Sequence, residues 1–237
     1  MERNRLKLNI LGVTLARSGS KSVKNKNIVL INKKPLIYYT IKEALKSNYI
    51  TDYIVSTDSK EIKKVSLKYG ANVPFLRPKR LSGDKAKSAD ALKHALLISE
   101  KIFKKKFNYV IELMATNPLK TIKDIDAVIK IIIKSKSDSV IAVNQLFDHH
   151  PARIKKMNNG ILSDFVIKEK LESRRQDLKP NAYVRSGSIY AMSRKFVIEN
   201  KRYVSGKSIG YILPPKRSIN IDDKYDLLLA QKKINEK

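Results

Sequence analysis

Residues 8–27 read LNILGVTLARSGSKSVKNKN, an apolar run that turns abruptly into a basic loop of small residues. The run 8–15 carries no charge and is rich in Leu, Ile, Val and Thr, the pattern of a strand buried on both faces. Ser18, Gly19, Ser20 and Ser22 follow it, threaded by Arg17, Lys21, Lys24 and Lys26. Small residues let backbone N–H groups approach phosphate oxygens, and Arg and Lys neutralise their charge. The loop has neither the Walker A spacing nor G-x-G-x-x-G. From these residues alone two readings stand open: a polyphosphate-binding loop, or a solvated turn in a Lys-rich chain. Its place after a first buried strand favours phosphate, because open α/β sheets bind ligands at the carboxyl ends of their strands.

Working outward, Pro35 precedes a helical stripe of Leu36, Ile37, Tyr39, Thr40, Ala44 and Leu45. YIVST at 53–57 is a second strand, and Thr57-Asp58-Ser59 caps a helix over 60–69 that Gly70 ends. The pattern then predicts a short strand at 73–76, a loop at 77–84 and a helix at 88–105. A strand at 109–114, a helix at 122–135 and a strand at 139–143 continue it. This alternation argues for an α/β fold with a doubly wound, mostly parallel sheet. The rhythm breaks after Gln145. Asn158-Asn159-Gly160 signals a hairpin between 153–156 and 161–166. Polar chain runs on to Ala182, followed by a strand at 188–192, a short helix at 194–199, a strand at 209–213 and a last helix at 222–234. With no repeat and no linker, residues 1–237 read as a single domain. It carries a small β-rich insertion at about 146–186, suited to a dimerisation arm or a lid.

The totals narrow the function classes. The chain has 237 residues, enough for one large α/β domain, and its hydrophobic fraction of 42% is ordinary. No apolar run approaches the roughly 20 residues that span a bilayer, so no membrane association is expected. The absence of cysteine excludes disulfides, thiolate zinc sites and cysteine nucleophiles, and fits a cytoplasmic location. The net charge is +28 and the pI near 10.1. Lysines are spread over nearly every expected helix and no RNA-binding aromatic signature accompanies them, so no specific nucleic-acid partner is expected. The charge should still draw anionic substrates.

With these segments in place, the chain resembles the acylneuraminate cytidylyltransferases, the CMP-sialic acid synthetases and relatives that use similar nine-carbon acids. Residues 16–27 are similar to that family's loop, usually A-R-x-x-S-K-x-x-x-x-K-N. Ser56-Thr57-Asp58, Arg77-Pro78, residues 81–88, Thr116-Asn117-Pro118-Leu119, His149-His150-Pro151, Arg175-Gln176, Gly187-Ser188-Ile189-Tyr190 and Ile221-Asp222 follow in the family's order. The resemblance implies a Rossmann-like nucleotidyltransferase fold. It also implies transfer of the cytidylyl group of CTP to the anomeric hydroxyl of a 2-keto-3-deoxy sugar acid, with pyrophosphate leaving. On it, Arg17, Lys21 and Asp222 are the catalytic candidates. Ser20, Lys26, Asn27, Arg77 and Ser88 are the nucleotide-binding ones, and Arg175, Gln176 and Tyr183 face the sugar. The implied cofactor is Mg2+ on Asp222, and the implied assembly a homodimer.

Three positions depart from the family. Asn220 stands where an aspartate usually precedes Ile-Asp. Met114 replaces a Gln expected to bond the sugar, and Ser186-Gly187 replaces Asn-Gly. The acid could therefore be of the sialic, legionaminic or pseudaminic type. His149 and His150 read either as metal or acid/base groups or as structural loop residues. The rival readings are a cytidylyltransferase for an eight-carbon keto-deoxy acid, a non-catalytic nucleotide-binding protein on the same fold, and a basic nucleic-acid-binding module.

Overall fold

The computed structural model describes residues 8–20, 22–168, 174, 177–199 and 203–236. In chain order its elements begin with β1 (Ile10–Leu15), β2 (Leu30–Ile31), β3 (Lys34–Pro35), α1 (Leu36–Ala44), β4 (Asp52–Ser56) and α2 (Lys60–Lys68). Next come α3 (Ser88–Ile102), β5 (Tyr109–Leu113), α4 (Ile122–Ser135), β6 (Ser139–Leu146), β7 (Lys155–Asn158) and β8 (Ile161–Asp164). β9 (Ala182–Ser193), α5 (Arg194–Glu199), β10 (Ser208–Ile212) and α6 (Lys224–Asn235) complete the series.

Six strands form the central sheet in the order β10-β6-β9-β5-β1-β4. β1 lies parallel to both β4 and β5, and β6 is parallel to β10. β9 runs antiparallel between β5 and β6. The expected mostly parallel sheet is therefore present, with one interior strand reversed. Both sheet faces are covered, as an uncharged β1 requires. On one face, Ile37 and Ile41 of α1, Ile62 of α2 and Ile125, Val128, Ile129 and Ile132 of α4 pack on Ile111 and Leu113. On the other, Leu92, Ala95 and Leu96 of α3 and Phe196 and Val197 of α5 pack on Leu11, Val13 and Val110. Strand alternation puts Glu112 on this second, apolar face beside Val110.

Local chemistry sets the helix ends. Ser59 caps α2 by accepting from the Ile62 amide, and Gly70 follows with φ 87°. Thr121 and Asp124 form a capping box on α4, as do Asp223 and Asp226 on α6. Asn159 and Gly160, both at positive φ, turn β7 into β8 as the hairpin signal predicts.

Three expectations are corrected. Residues 73–76 form no strand. A single bridge from Asn72 to Ile54 marks the place, and Pro74 has no N–H to extend a ladder. The strand expected at 188–192 is longer at its start. β9 begins at Ala182, because its first residues pair with the far end of β6, Leu146 with Ala182 and Val143 with Arg185. The last helix starts at Lys224 rather than at 222, since the side chain of Asp223 is its cap.

Candidate active site

The loop after β1 is held from both sides of the sheet. Ser18 donates through N and Oγ to Asp58 at 3.0 and 2.7 Å, tying it to the end of β4. Buried Asn27 donates through Nδ2 to the Arg17 carbonyl at 3.0 Å and closes the loop on itself. Lys26 Nζ donates to the carbonyls of Ile221 and Asp222 at 2.8 and 3.2 Å and lies 3.7 Å from the Asp222 carboxylate. Ser22 Oγ also donates to the Asp222 carbonyl. Residues some two hundred positions apart are thereby locked together at the carboxyl ends of the strands.

A cavity of about 460 Å3 opens over this junction. Arg17, Ser20, Lys26, Asn27, Arg77 and Ser88 all line it. One phosphate-loop cation candidate, Lys21, lies outside the described residues, as do Arg175 and Gln176. Arg17 Nη1 is paired with Asp84 at 3.1 Å, across from the loop 83–87. Arg77 is buried, with Nε donating to Ser82 Oγ at 3.0 Å. Burial pulls its pKa below the usual arginine value, while Asp58 and Glu112 oppose that. Ser88 is the first residue of α3, not its cap, and its side chain is not spent on the helix end. Tyr183 sits half-exposed on β9 opposite Gln145 and is not among the residues lining this cavity.

Asp222 is not among the residues lining the cavity; its side chain, 75% exposed, lies beside Lys26, which is. Asn220 Nδ2 donates to Asp222 Oδ2 at 2.7 Å. No group of three or more acidic or His side chains close enough to hold a metal occurs among the described residues. A single oriented carboxylate still fits Mg2+, which commonly takes one or two carboxylates and shares the rest of its shell with substrate phosphates and water. His150 is buried and structural: its Nδ1 accepts from the Ala152 amide at 3.2 Å, so Nε2 carries the proton and donates to the Pro180 carbonyl at 2.8 Å. His149 is exposed.

Two buried ionisable groups escaped the motif reading. Glu112 is 1% exposed and lines the cavity floor. Burial raises its pKa to about 7, with Tyr203 and Arg77 holding it from rising further. An acid inside the strand YVIEL was the signal for it. Lys120 is buried under the turn after β5, where Nζ donates to the Met114 carbonyl at 2.6 Å, to Thr40 Oγ1 at 2.9 Å and to the Asn117 carbonyl. That turn in turn meets the segment that carries Asp222 through the Ile221 amide, which donates to the Thr116 carbonyl at 2.8 Å. Nothing local separates Lys120 from the other lysines of so basic a chain.

Comparison with known proteins bears on the family and the fold. The family profile described as Cytidylyltransferase matches residues 11–206. The chain is 35% identical over 233 residues to post-translational flagellin modification protein B of Campylobacter coli, covering 96% of each. It is 34% identical over 224 residues to the CMP-N,N'-diacetyllegionaminic acid synthase of Campylobacter jejuni serotype O:2, covering 94% of this chain and 93% of that one. Among solved structures, a CMP:2-keto-3-deoxy-manno-octonic acid synthetase complexed with CTP superposes with a TM-score of 0.70 over 96% of this chain and 99% of the other. At 14% identity that likeness speaks to the fold.

Proposed function

This chain belongs to the cytidylyltransferase family, and from that membership we propose that it activates a nine-carbon 2-keto-3-deoxy sugar acid with CTP. The anomeric hydroxyl oxygen of the acid attacks the α-phosphorus, the bond from that phosphorus to the β-phosphate bridging oxygen breaks, and pyrophosphate leaves with the electron pair. The hydroxyl proton is released, and the product is the CMP-sugar. The observation that carries this reading is the convergence of Arg17, Ser20, Lys26, Asn27, Arg77 and Ser88 on one cavity beside Asp222.

Such a transfer needs in-line positioning and neutralised phosphate charge more than covalent help. On this reading Arg17 exchanges Asp84 for a phosphate, and Lys21, Ser20 and the loop amides take the rest of the triphosphate. Arg77, Asn27 and Ser88 hold the base and ribose. Asp222 would hold Mg2+, which would shield the phosphate charge. Arg175, Gln176 and Tyr183 are assigned to the acid by the family resemblance. A homodimer is part of the proposal, supported by Met157, Ile161, Leu162 and Phe165, apolar side chains that stand exposed on the hairpin β7–β8 and just beyond it. A sialic, legionaminic or pseudaminic type of acid is favoured over an eight-carbon one by the likeness to the legionaminic acid synthase over nearly the whole chain. No helix among the described residues is long and apolar enough to cross a membrane, and we place the reaction in the cytoplasm, where CTP is available.

The test is pyrophosphate release from CTP and Mg2+ with a panel of nine-carbon acids, for the wild type and for Asp222→Ala. Release with at least one acid, falling by orders of magnitude in the variant, is the expected result. Absence of release with every acid, together with no CTP binding, would overturn the enzyme reading.

A further inference from the structure

A second cavity, of about 410 Å3, adjoins the first and shares Ser88, Glu112 and Met114 with it. Its remaining wall includes Asn144 of β6, Arg185 of β9 and Asn220. Two amide oxygens in its wall, Oδ1 of Asn144 and Oδ1 of Asn220, are buried without a hydrogen-bond partner. The orientation of Asn220 follows from its neighbour. Its Nδ2 donates to the Asp222 carboxylate, so the amide oxygen points away from Asp222. Room for that amide depends on Gly187, at φ 63°, where a Cβ would stand 3.3 Å from Asn220 Cγ and Oδ1.

We propose that Asn144 and Asn220 accept hydrogen bonds from donor groups of the sugar acid, and that Asn220 does so instead of binding the metal. The inference rests on the sugar-acid reading given above. Any molecule attacking a nucleotide in the first cavity must occupy space continuous with it, and this cavity supplies that space. Buried acceptors left unpaired are costly, and hydroxyl or acylamino N–H groups of an incoming ligand would satisfy them. Arg185, exposed at the rim and in no ion pair among the described residues, gives the mouth a positive charge that suits an acid. A metal ligand at Asn220 would have to turn its oxygen toward the Asp222 carboxylate, yet that side is occupied by the amide nitrogen.

The experiment compares wild type, Asn144→Val and Asn220→Asp. Initial rates of pyrophosphate release are measured against acid, CTP and Mg2+ concentration. Calorimetric titration of the same nine-carbon acids into the CTP-loaded, metal-free proteins accompanies them. Both variants should raise KM and Kd for the acid about tenfold while KM for CTP stays put, and Asn220→Asp should not lower the Mg2+ needed for half-maximal rate. Unchanged acid binding in both folded variants would overturn the proposal, as would a lowered Mg2+ requirement in Asn220→Asp or an acid panel that does not bind the wild type. Acid binding weakened by the variants without pyrophosphate release would sink the enzyme reading and leave this inference standing.

Discussion

Replacing Glu112 by Gln should change how stability depends on pH. Glu112 is 1% exposed on an apolar sheet face, with Arg77, Tyr190 and Tyr203 as the charged and titratable groups that interact with it. Burial raises its pKa from 4.5 to about 7 in the folded protein. The folded state therefore holds this proton more tightly than the unfolded one, and between 4.5 and about 7 it binds more protons. Stability from this group is lost as pH rises through that window and is level on either side of it. A rise of that size corresponds to about 3 kcal/mol. Gln is nearly isosteric and never ionises. Glu112→Gln should then match the wild type near pH 4.5 and exceed it by about 3 kcal/mol at pH 8. Guanidinium denaturation of both proteins at half-unit pH steps measures the difference directly. A gap between them that stays constant from pH 4.5 to 8 would refute the reasoning, because it would mean that Glu112 ionises alike in both states.

Other perturbations separate the roles of neighbouring groups. Lys120→Met strands the Met114 and Asn117 carbonyls under the turn and should cost about 3 kcal/mol, seen as a lowered Tm; an unchanged Tm would show that the turn does not depend on the ammonium. Asp124→Ala leaves Arg217, which bonds it at 2.6 and 3.0 Å, without its carboxylate, and should destabilise the fold by about 3–5 kcal/mol in chemical denaturation. Asp223→Ala removes the α6 cap and should cost about 1 kcal/mol while turnover holds; a fall in rate like that of Asp222→Ala would mean that the metal sits on Asp223.

Much of the fold was legible from neighbouring residues. The uncharged run before the basic loop, the helical stripes and the hairpin signal at Asn159-Gly160 each depend on side chains only a few positions apart, and they gave β1, α4, α5 and the β7–β8 hairpin close to their observed limits. Asn27, Arg77 and Ser88 were singled out by the family resemblance and not by residue type, and the structure brings them to one cavity with Arg17, Ser20 and Lys26. The reversed strand β9 was not legible, since its partners in β5 and β6 lie far along the chain. Pro74 shows the opposite error, where apolar content suggested a strand that one missing N–H prevents.

By itself the sequence determined an alternating α/β chain, a phosphate-suited loop after its first strand, and the family resemblance that names CTP. Tertiary structure decided what those residues do to one another. It brought Ser22 and Lys26 against residues 221 and 222, freed Asp222 by giving the cap to Asp223, and turned the Asn220 oxygen away from the carboxylate. The physical reason is the range of the forces involved. Propensity, capping and patterning act along a few residues, whereas burial and hydrogen-bond orientation at Glu112, Lys120 and Asn220 depend on groups that meet only after the sheet has formed.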